Sequence, residues 1–247
     1  MKSLIVIPAR MASTRLPNKP LAMIGDAPMI VQVWRRAMES GVGEVLVACD
    51  GEAIAEAVRA AGGKTVLTDP DLPSGSDRIW AALQSLVGAG APGAAGARVQ
   101  DFDVVINLQG DVPTLEPRLL KDILKPLENP EVDIATLAAE IREEAEHTNP
   151  AVVKIALAAN GRALYFSRAS IPAHAGPRYH HIGVYAYRFK ALEKFVTLPP
   201  SPLEQREKLE QLRALEAGMR IDAVVVDTVP LGVDTFEDLE RARGILG

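Results

Sequence analysis

"SLIVIPARMASTRLPNKPL", residues 3–21, changes character at Pro8. Its opening run, SLIVI, is apolar and β-branched, the composition of a strand buried on both faces. The stretch that follows, PARMASTRLPNKPL, sets Arg10, Arg15 and Lys19 among prolines and contains no glycine. A strand that leaves into a loop and then a helix is the building unit of α/β folds. The loop is where such folds receive phosphate. Neither GxxxxGK[ST] nor GxGxxG occurs in it, so side-chain cations would have to supplement backbone N–H groups. Arginine suits that role because its planar fork binds phosphate oxygens bidentately. On spacing alone, three solvated surface cations are the favoured reading, because charge runs usually keep loops in water.

Working outward, β-branched runs alternate with segments of helical period, the pattern of βαβ units around a mostly parallel sheet. PMIVQVWRRAMESG (28–41) reads as a helix with Pro28 in its first turn and Gly41 past its end. EVLVAC (44–49), EAIAEAVRAAGG (52–63) and KTVL (64–67) continue as strand, helix and strand, and a further helix spans about 76–87. The Ala/Gly tract GAGAPGAAGA (88–97) has no face to bury and reads as a surface connection. DFDVVINLQGD (101–111) restores a buried strand with Gln109, Gly110 and Asp111 at its carboxyl end, where ligands of open α/β sheets bind. Beyond it, VDIATLAAEI, AVVKIALA, RALYFSR and HIGVYAYR read as strands with few helices between them, a smaller mixed or antiparallel part. SPLEQREKLEQLRALEAG (201–218) reads as one helix, with Ser201 and Glu204 in capping-box register, Pro202 at its first position and Gly218 near its end. RIDAVVVDT is a late strand, and DTFEDLERARGIL closes as a helix capped by Thr235 and Asp238.

Composition removes several function classes. The 247 residues carry a formal net charge of −5, against the basic excess of a polyanion-binding surface, so nucleic acid is not expected as a partner. No apolar run approaches the roughly 20 residues of a membrane-spanning helix. MKSLIVIPAR ends its apolar run at Pro8 and Arg10 rather than at a small-residue cleavage site, and is read as a first strand of a cytoplasmic protein. The single cysteine, Cys49, excludes an internal disulfide and is expected to pack at a strand end.

Asp111 stands in LQGDVP as either a magnesium ligand or a turn aspartate, since Mg²⁺ takes one or two carboxylates and completes its shell with water and phosphate oxygens. Asp234 is the candidate second carboxylate, and an acid meeting the dipole of the last helix is its simpler role. In SGSDR (74–78) a helix cap is favoured over a phosphate contact for Ser74, Gly75 and Arg78. His147, His174, His180 and His181 lack zinc spacing, and Ser167 lacks a nucleophile-elbow pattern.

Seven motifs, in this order, resemble the 3-deoxy-manno-octulosonate cytidylyltransferases almost end to end. They are IPARMASTRLPNKPL, SGSDR, NLQGDVP, LYFSRASIP, HIGVYAYR, SPLEQREKLEQLRALEAG and GVDTFEDLERAR. The resemblance implies a Rossmann-like nucleotidyltransferase fold, a single domain over 1–247 with a smaller substrate and dimerisation part at 133–200 inserted in it. It implies a Mg²⁺-dependent homodimer that joins CMP from CTP to an eight-carbon acid sugar for lipopolysaccharide synthesis. It assigns Arg10, Arg15 and Lys19 to the triphosphate, and Ala9, Ser74, Gly75, Arg78 and Gln109 to the nucleotide pocket. Asp111 and Asp234 match the metal-binding acids and, with Arg10 and Lys19, the catalytic set. Gln109, Arg168, His181, Tyr185, Glu210 and Gln211 match positions around the acid sugar. Two segments depart from the family pattern: the Ala/Gly tract looks like an insertion, and AHAGPRYH (173–180) is short. The short segment precedes the presumed substrate strand and leaves open the plain acid against an 8-amino analogue. A sialic acid enzyme is the nearest other reading, and its first loop usually lacks the STRLPNKPL continuation. A catalytically silent nucleotide-binding protein is the alternative from another class.

Overall fold

The computed structural model describes residues 1–88, 101–174 and 176–247; the Ala/Gly tract beyond Gly88 lies outside them, as does Ala175. In chain order the elements are β1 (Ser3–Ala9), β2 (Met23–Ile24), β3 (Ala27–Pro28), α1 (Met29–Ser40), β4 (Gly43–Cys49), α2 (Glu52–Ala60), β5 (Lys64–Leu67), α3 (Gly75–Gly88), β6 (Val104–Asn107) and α4 (Leu119–Asp122). They continue with β7 (Ile134–Glu140), α5 (Glu144–Thr148), β8 (Lys154–Leu157), β9 (Ala163–Ser167), β10 (Tyr179–Arg188), α6 (Phe189–Thr197), α7 (Pro202–Glu207), α8 (Leu212–Glu216), β11 (Ile221–Val226) and α9 (Phe236–Leu246). The chain divides into two compact units: Met1–Lys121 with Pro230–Gly247, and Asp122–Val229. Among the described residues no helix is long and apolar enough to cross a membrane.

In the first unit four strands run parallel in the order β6-β1-β4-β5. β1 is buried along its whole length, as its unbroken apolar run requires of a central strand. The helices between strands follow from periodicity and stop signals. α1 buries Met29, Val33 and Ala37 at intervals of four, then ends at Gly41, whose φ of 62° is the left-handed turn that glycine adopts without strain. Pro28 stands just outside the first turn of α1, at the capping position. Cys49 is buried at the last position of β4, as its role in packing requires, and burial pushes its thiol pKa up.

Chain order runs β1, β4, β5 to one side, and the next strand, β6, returns to the other side of β1. The carboxyl ends of β1 and β6 therefore flank a topological switch point, the ligand-binding position of open α/β sheets. The chain passes closely there: a Cβ on Gly110 would lie 2.9 Å from the Pro8 carbonyl oxygen.

The opening loop is pinned by an apolar anchor. Leu16 packs in a cluster with Ile24, Met29, Val233, Leu239 and Ala242, so α9 and the segment before it hold the loop from the far end of the sequence. Asn18, between Pro17 and Lys19, takes φ 55° and ψ 30° and turns the chain into the short 3-10 segment Lys19–Leu21. Asparagine is among the few non-glycine residues that visit this region readily.

In the second unit β11, β7 and β10 lie in that order, β7 parallel to β11 and antiparallel to β10. β8 pairs antiparallel with β10 and β9. The expected single helix over 201–218 is corrected to two short helices. α7 has its capping box on Ser201 and Glu204, but Lys208 at φ 57° breaks the chain before α8. One straight helix would spread Leu209, Gln211, Leu212 and Ala214 around its circumference, whereas the break buries all four. Arg213 then folds back to pair with Glu204 at 2.6 Å, joining the halves. α6, which sequence patterning passes over, buries Ala191, Leu192 and Phe195. The last helix keeps its capping box on Thr235 and Asp238.

Candidate active site

At the carboxyl ends of the parallel strands the first unit holds a cavity of about 710 Å³. Ala9, Arg10, Arg15, Lys19, Ser74, Gly75, Arg78, Gln109, Asp111 and Asp234 all line it. β1 delivers Ala9 and Arg10, the loop after β6 delivers Gln109 and Asp111, and the N-terminus of α3 contributes Ser74 and Gly75. That helix end adds partial positive charge to a cavity already lined by cations.

The two acids meet on one cation. Lys19 Nζ donates to Asp111 Oδ2 at 2.8 Å and to Asp234 Oδ1 at 2.9 Å, with its side chain only 16% exposed. The Val233 N–H donates to the Asp111 carbonyl at 2.8 Å, fixing the backbone that presents both carboxylates. Burial works against the Lys19 charge, but attraction and hydrogen bonding to Asp111 and Asp234 outweigh it and raise the ammonium pKa above its ordinary value. Arg15 reaches Asp234 Oδ2 at 3.2 Å from a largely exposed position, a pair of small energetic weight. Arg10 is exposed at the rim.

The SGSDR segment behaves first as a cap. The Ser74 hydroxyl accepts the Asp77 N–H at 3.1 Å and donates to its carboxylate at 2.8 Å. Arg78 is buried and donates to the Thr68 hydroxyl at 2.5 Å and to the carbonyls of Asp69 and Pro70 at 3.1 and 3.4 Å. It therefore fixes the loop ahead of α3 as well as lining the cavity. Gln109 donates to Asn107 at 2.8 Å and stands beside Gly75.

A divalent cation is the cofactor implied by such acids, and the donor set fits one. Two carboxylates from distant segments converge on a single positive centre, here an ammonium, and Mg²⁺ needs one or two carboxylates with phosphate and water oxygens. Among the described residues no group of three or more His, Cys, Asp or Glu side chains could hold a metal by itself. The remaining ligands would therefore come from phosphate and water.

Arg168, His181, Tyr185, Glu210 and Gln211 belong to the second unit. His181 and Tyr185 lie side by side on β10 with ring centroids 5.4 Å apart, and Phe166 meets His181 edge-on at 4.9 Å. Between Ile182 and Tyr185 the β10–β7 register shifts. The Thr136 hydroxyl fills the irregularity, donating to the Val184 carbonyl at 2.8 Å, which leaves its oxygen to accept His181 Nε2–H at 3.0 Å. Burial, with a smaller contribution from His180, pushes the His181 imidazole down to about 3. Burial, reinforced by Tyr187 and Glu210, pushes the Tyr185 phenol well above its ordinary range. Arg168 is held through its backbone and side chain. Its N–H donates to Glu207 Oε2 at 3.1 Å, its guanidinium to the Glu207 and Pro150 carbonyls, and its own carbonyl accepts buried Lys154 at 3.0 Å. Ser167 donates to Glu207 at 2.9 Å, a structural bond. Gln211 is buried at the start of α8, and Glu210 lies 3.8 Å from Arg213.

The His181 environment carries a pH signature. The folded imidazole stays neutral down to pH about 3, whereas the unfolded one protonates below about 6.5. Between these values the unfolded chain binds a proton that the folded chain does not, so stability falls as pH falls. Between pH 7 and pH 5 the wild type should lose about 2 kcal/mol more than His181→Asn, measured by urea unfolding. Parallel pH dependences for the two proteins would show that His181 is not held neutral by burial.

Sequence reasoning passed over Asp50, Leu16 and Thr136. Asp50 follows a parallel strand at the ligand-binding end, which is a usable signal; Leu16 and Thr136 carry none beyond being apolar or β-branched.

Comparison with known proteins accords with this geometry. The cytidylyltransferase family model matches residues 4–221. The chain is 61% identical to the 3-deoxy-manno-octulosonate cytidylyltransferase of Bradyrhizobium sp. (strain ORS 278), covering 99% of this chain and 97% of the relative. It is 57% identical to the enzyme of that name from Paramagnetospirillum magneticum, over 98% and 97% of the two chains. The solved structure of a CMP:2-keto-3-deoxy-manno-octonic acid synthetase complexed with CTP superposes with a TM-score of 0.88 at 39% identity, covering 99% of this chain and 98% of the other. With this sheet, this cavity and near-complete coverage by such relatives, the chain belongs to the 3-deoxy-manno-octulosonate cytidylyltransferase family.

Proposed function

We propose that the protein transfers CMP from CTP to 3-deoxy-D-manno-octulosonate, releasing pyrophosphate and forming the activated sugar used in lipopolysaccharide synthesis. The observation that carries this reading is the convergence of Asp111, Asp234, Arg10, Arg15 and Lys19 on one cavity at the switch point of a parallel sheet. Family membership supplies the choice of nucleotide and sugar.

In the reaction the sugar 2-hydroxyl gives its proton to water and forms a bond to the α-phosphorus, while the bond from that phosphorus to the bridging oxygen breaks and pyrophosphate departs with that oxygen. The obstacle is electrostatic, because an anionic sugar must approach a polyphosphate. Arg10, exposed at the rim, is free to meet phosphate oxygens as CTP enters. Lys19 and Arg15 start on the two acids and are proposed to transfer their contacts to the triphosphate, leaving Asp111 and Asp234 for the cofactor. Mg²⁺ held by that pair would supply charge neutralisation at the reacting phosphate. The α3 N-terminus, through Ser74 and Gly75, with Ala9, Arg78 and Gln109, is proposed to orient the nucleotide. Orientation and fixed charge would then supply most of the rate enhancement.

Arg168, His181, Tyr185, Glu210 and Gln211 are proposed to serve the acid sugar, and Gln109 is proposed as a further substrate-binding residue. Neutral His181 and protonated Tyr185 suit hydrogen bonding to hydroxyls better than charge pairing. Residues 133–200 are proposed as the smaller substrate and dimerisation part, the active form as a homodimer, and the compartment as the cytoplasm.

The test is pyrophosphate release in a panel crossing CTP and other nucleoside triphosphates with several acid sugars. Release is expected only with Mg²⁺, CTP and 3-deoxy-D-manno-octulosonate together. No release at saturating substrates would defeat the enzyme reading, and release with sialic acid or the 8-amino sugar alone would reassign the substrate.

A further inference from the structure

Asp50 plays no part in the chemistry above. It directly follows β4, beside β1, with a side chain only 6% exposed. A carboxylate removed from water needs charge and hydrogen bonds in return, and Asp50 finds them on opposite sides. Oδ1 accepts the Met11 N–H at 2.9 Å, one residue past Arg10 in the opening loop. Oδ2 lies 4.0 Å from Arg78 Nη2, and the Arg78 side chain is 3% exposed. Arg78 in turn holds Thr68, Asp69 and Pro70, the start of the loop whose Pro73 and Ser74 line the cavity. The neighbouring Gly51 admits the Met11 side chain closely, since a Cβ there would lie 3.3 Å from Met11 Cγ.

We propose that Asp50 is a positioning residue for nucleotide binding, bracing the opening loop and the 68–75 loop against each other through Met11 and Arg78. This rests on the reading that the cavity takes CTP. Without the carboxylate the Met11 N–H loses its acceptor, Arg78 loses a buried negative partner, and the backbone next to Arg10 loses its anchor. The brace acts before chemistry, so its removal weakens capture of CTP rather than turnover of bound substrate.

The test compares full-length wild type, Asp50→Ala and Asp50→Asn. Asparagine keeps an acceptor for Met11 but removes the charge facing Arg78. CTP affinity is measured by calorimetry, kcat and both KM values by pyrophosphate release, and loop opening by hydrogen exchange of a peptide spanning residues 10–16. For Asp50→Ala the Kd and KM for CTP should rise about tenfold and exchange in the loop should quicken about tenfold. The kcat should stay within about threefold and the KM for the acid sugar should not change. Asp50→Asn should fall between wild type and Asp50→Ala. Wild-type CTP affinity and exchange in a folded Asp50→Ala would overturn the brace, as would a loss confined to kcat or an equal weakening for both substrates. Should Asp50→Ala not fold, Asp50→Asn decides by the same measurements. Failure of the wild type itself to bind CTP would defeat the nucleotide reading, and the exchange measurement would then decide the brace alone.

Discussion

Replacing Asp111 or Asp234 by asparagine is expected to lower Mg²⁺-dependent pyrophosphate release at least about 100-fold, the usual scale for removing one preorganised electrostatic group. The amide has nearly the shape of the carboxylate and still offers an oxygen to Lys19 Nζ, so the fold should persist. What it lacks is the negative charge that a hard divalent cation requires. Both acids converge on one centre, at 2.8 and 2.9 Å from the same ammonium, so they should behave as a unit. The double variant should therefore be little worse than either single one. Near-normal turnover in both single variants, with thermal unfolding unchanged, would show that the cation is held elsewhere.

Lys19→Met should produce two effects that separate its roles. Turnover should fall on the order of 100-fold, because one of the cations proposed to meet the triphosphate is lost. Stability without divalent cations should also fall, by about 1–3 kcal/mol, because two carboxylates then face each other with their largely buried counter-ion removed. Added Mg²⁺ should restore much of that stability, giving the variant a larger metal-dependent rise in melting temperature than the wild type. Arg15→Met is the control: its side chain is 66% exposed, and its pair with Asp234 should contribute less than about 1 kcal/mol. A Lys19→Met protein whose melting temperature ignores Mg²⁺ would rule out the pair as the binding point of the cation.

The parallel half of the fold was legible because local signals agree there. β1, β4 and β6 are apolar runs, α1 ends at Gly41, and helix and strand periods alternate without conflict. The mixed second unit was legible as strands but not as pairings, since an order such as β11-β7-β10 depends on which apolar faces meet. The break at Lys208 was hidden because capping and propensity both favour one long helix. Burial of Leu209 and Leu212 overrides them. Asp111 and Asp234 each stood out singly, but their meeting depends on the Val233 to Asp111 backbone bond and on Leu16, Val233 and Leu239 sharing one cluster. Asp50 follows a parallel strand at the ligand-binding end, a signal that was passed over, and its burial between Met11 and Arg78 distinguishes it.

The first unit is assembled from the two ends of the chain, and this orders the events of folding. Lys19 and Asp234 are 215 positions apart, and closing so long a loop costs more entropy than any helix or hairpin in the molecule. Contacts of such separation form late, after local helices and the neighbouring β1–β4 and β4–β5 pairings. During refolding, helical signal should therefore return before the cavity has its last wall. Recovery of activity becomes a clock for the arrival of residues 230–247, marking the moment at which the chain is finished rather than merely folded in parts.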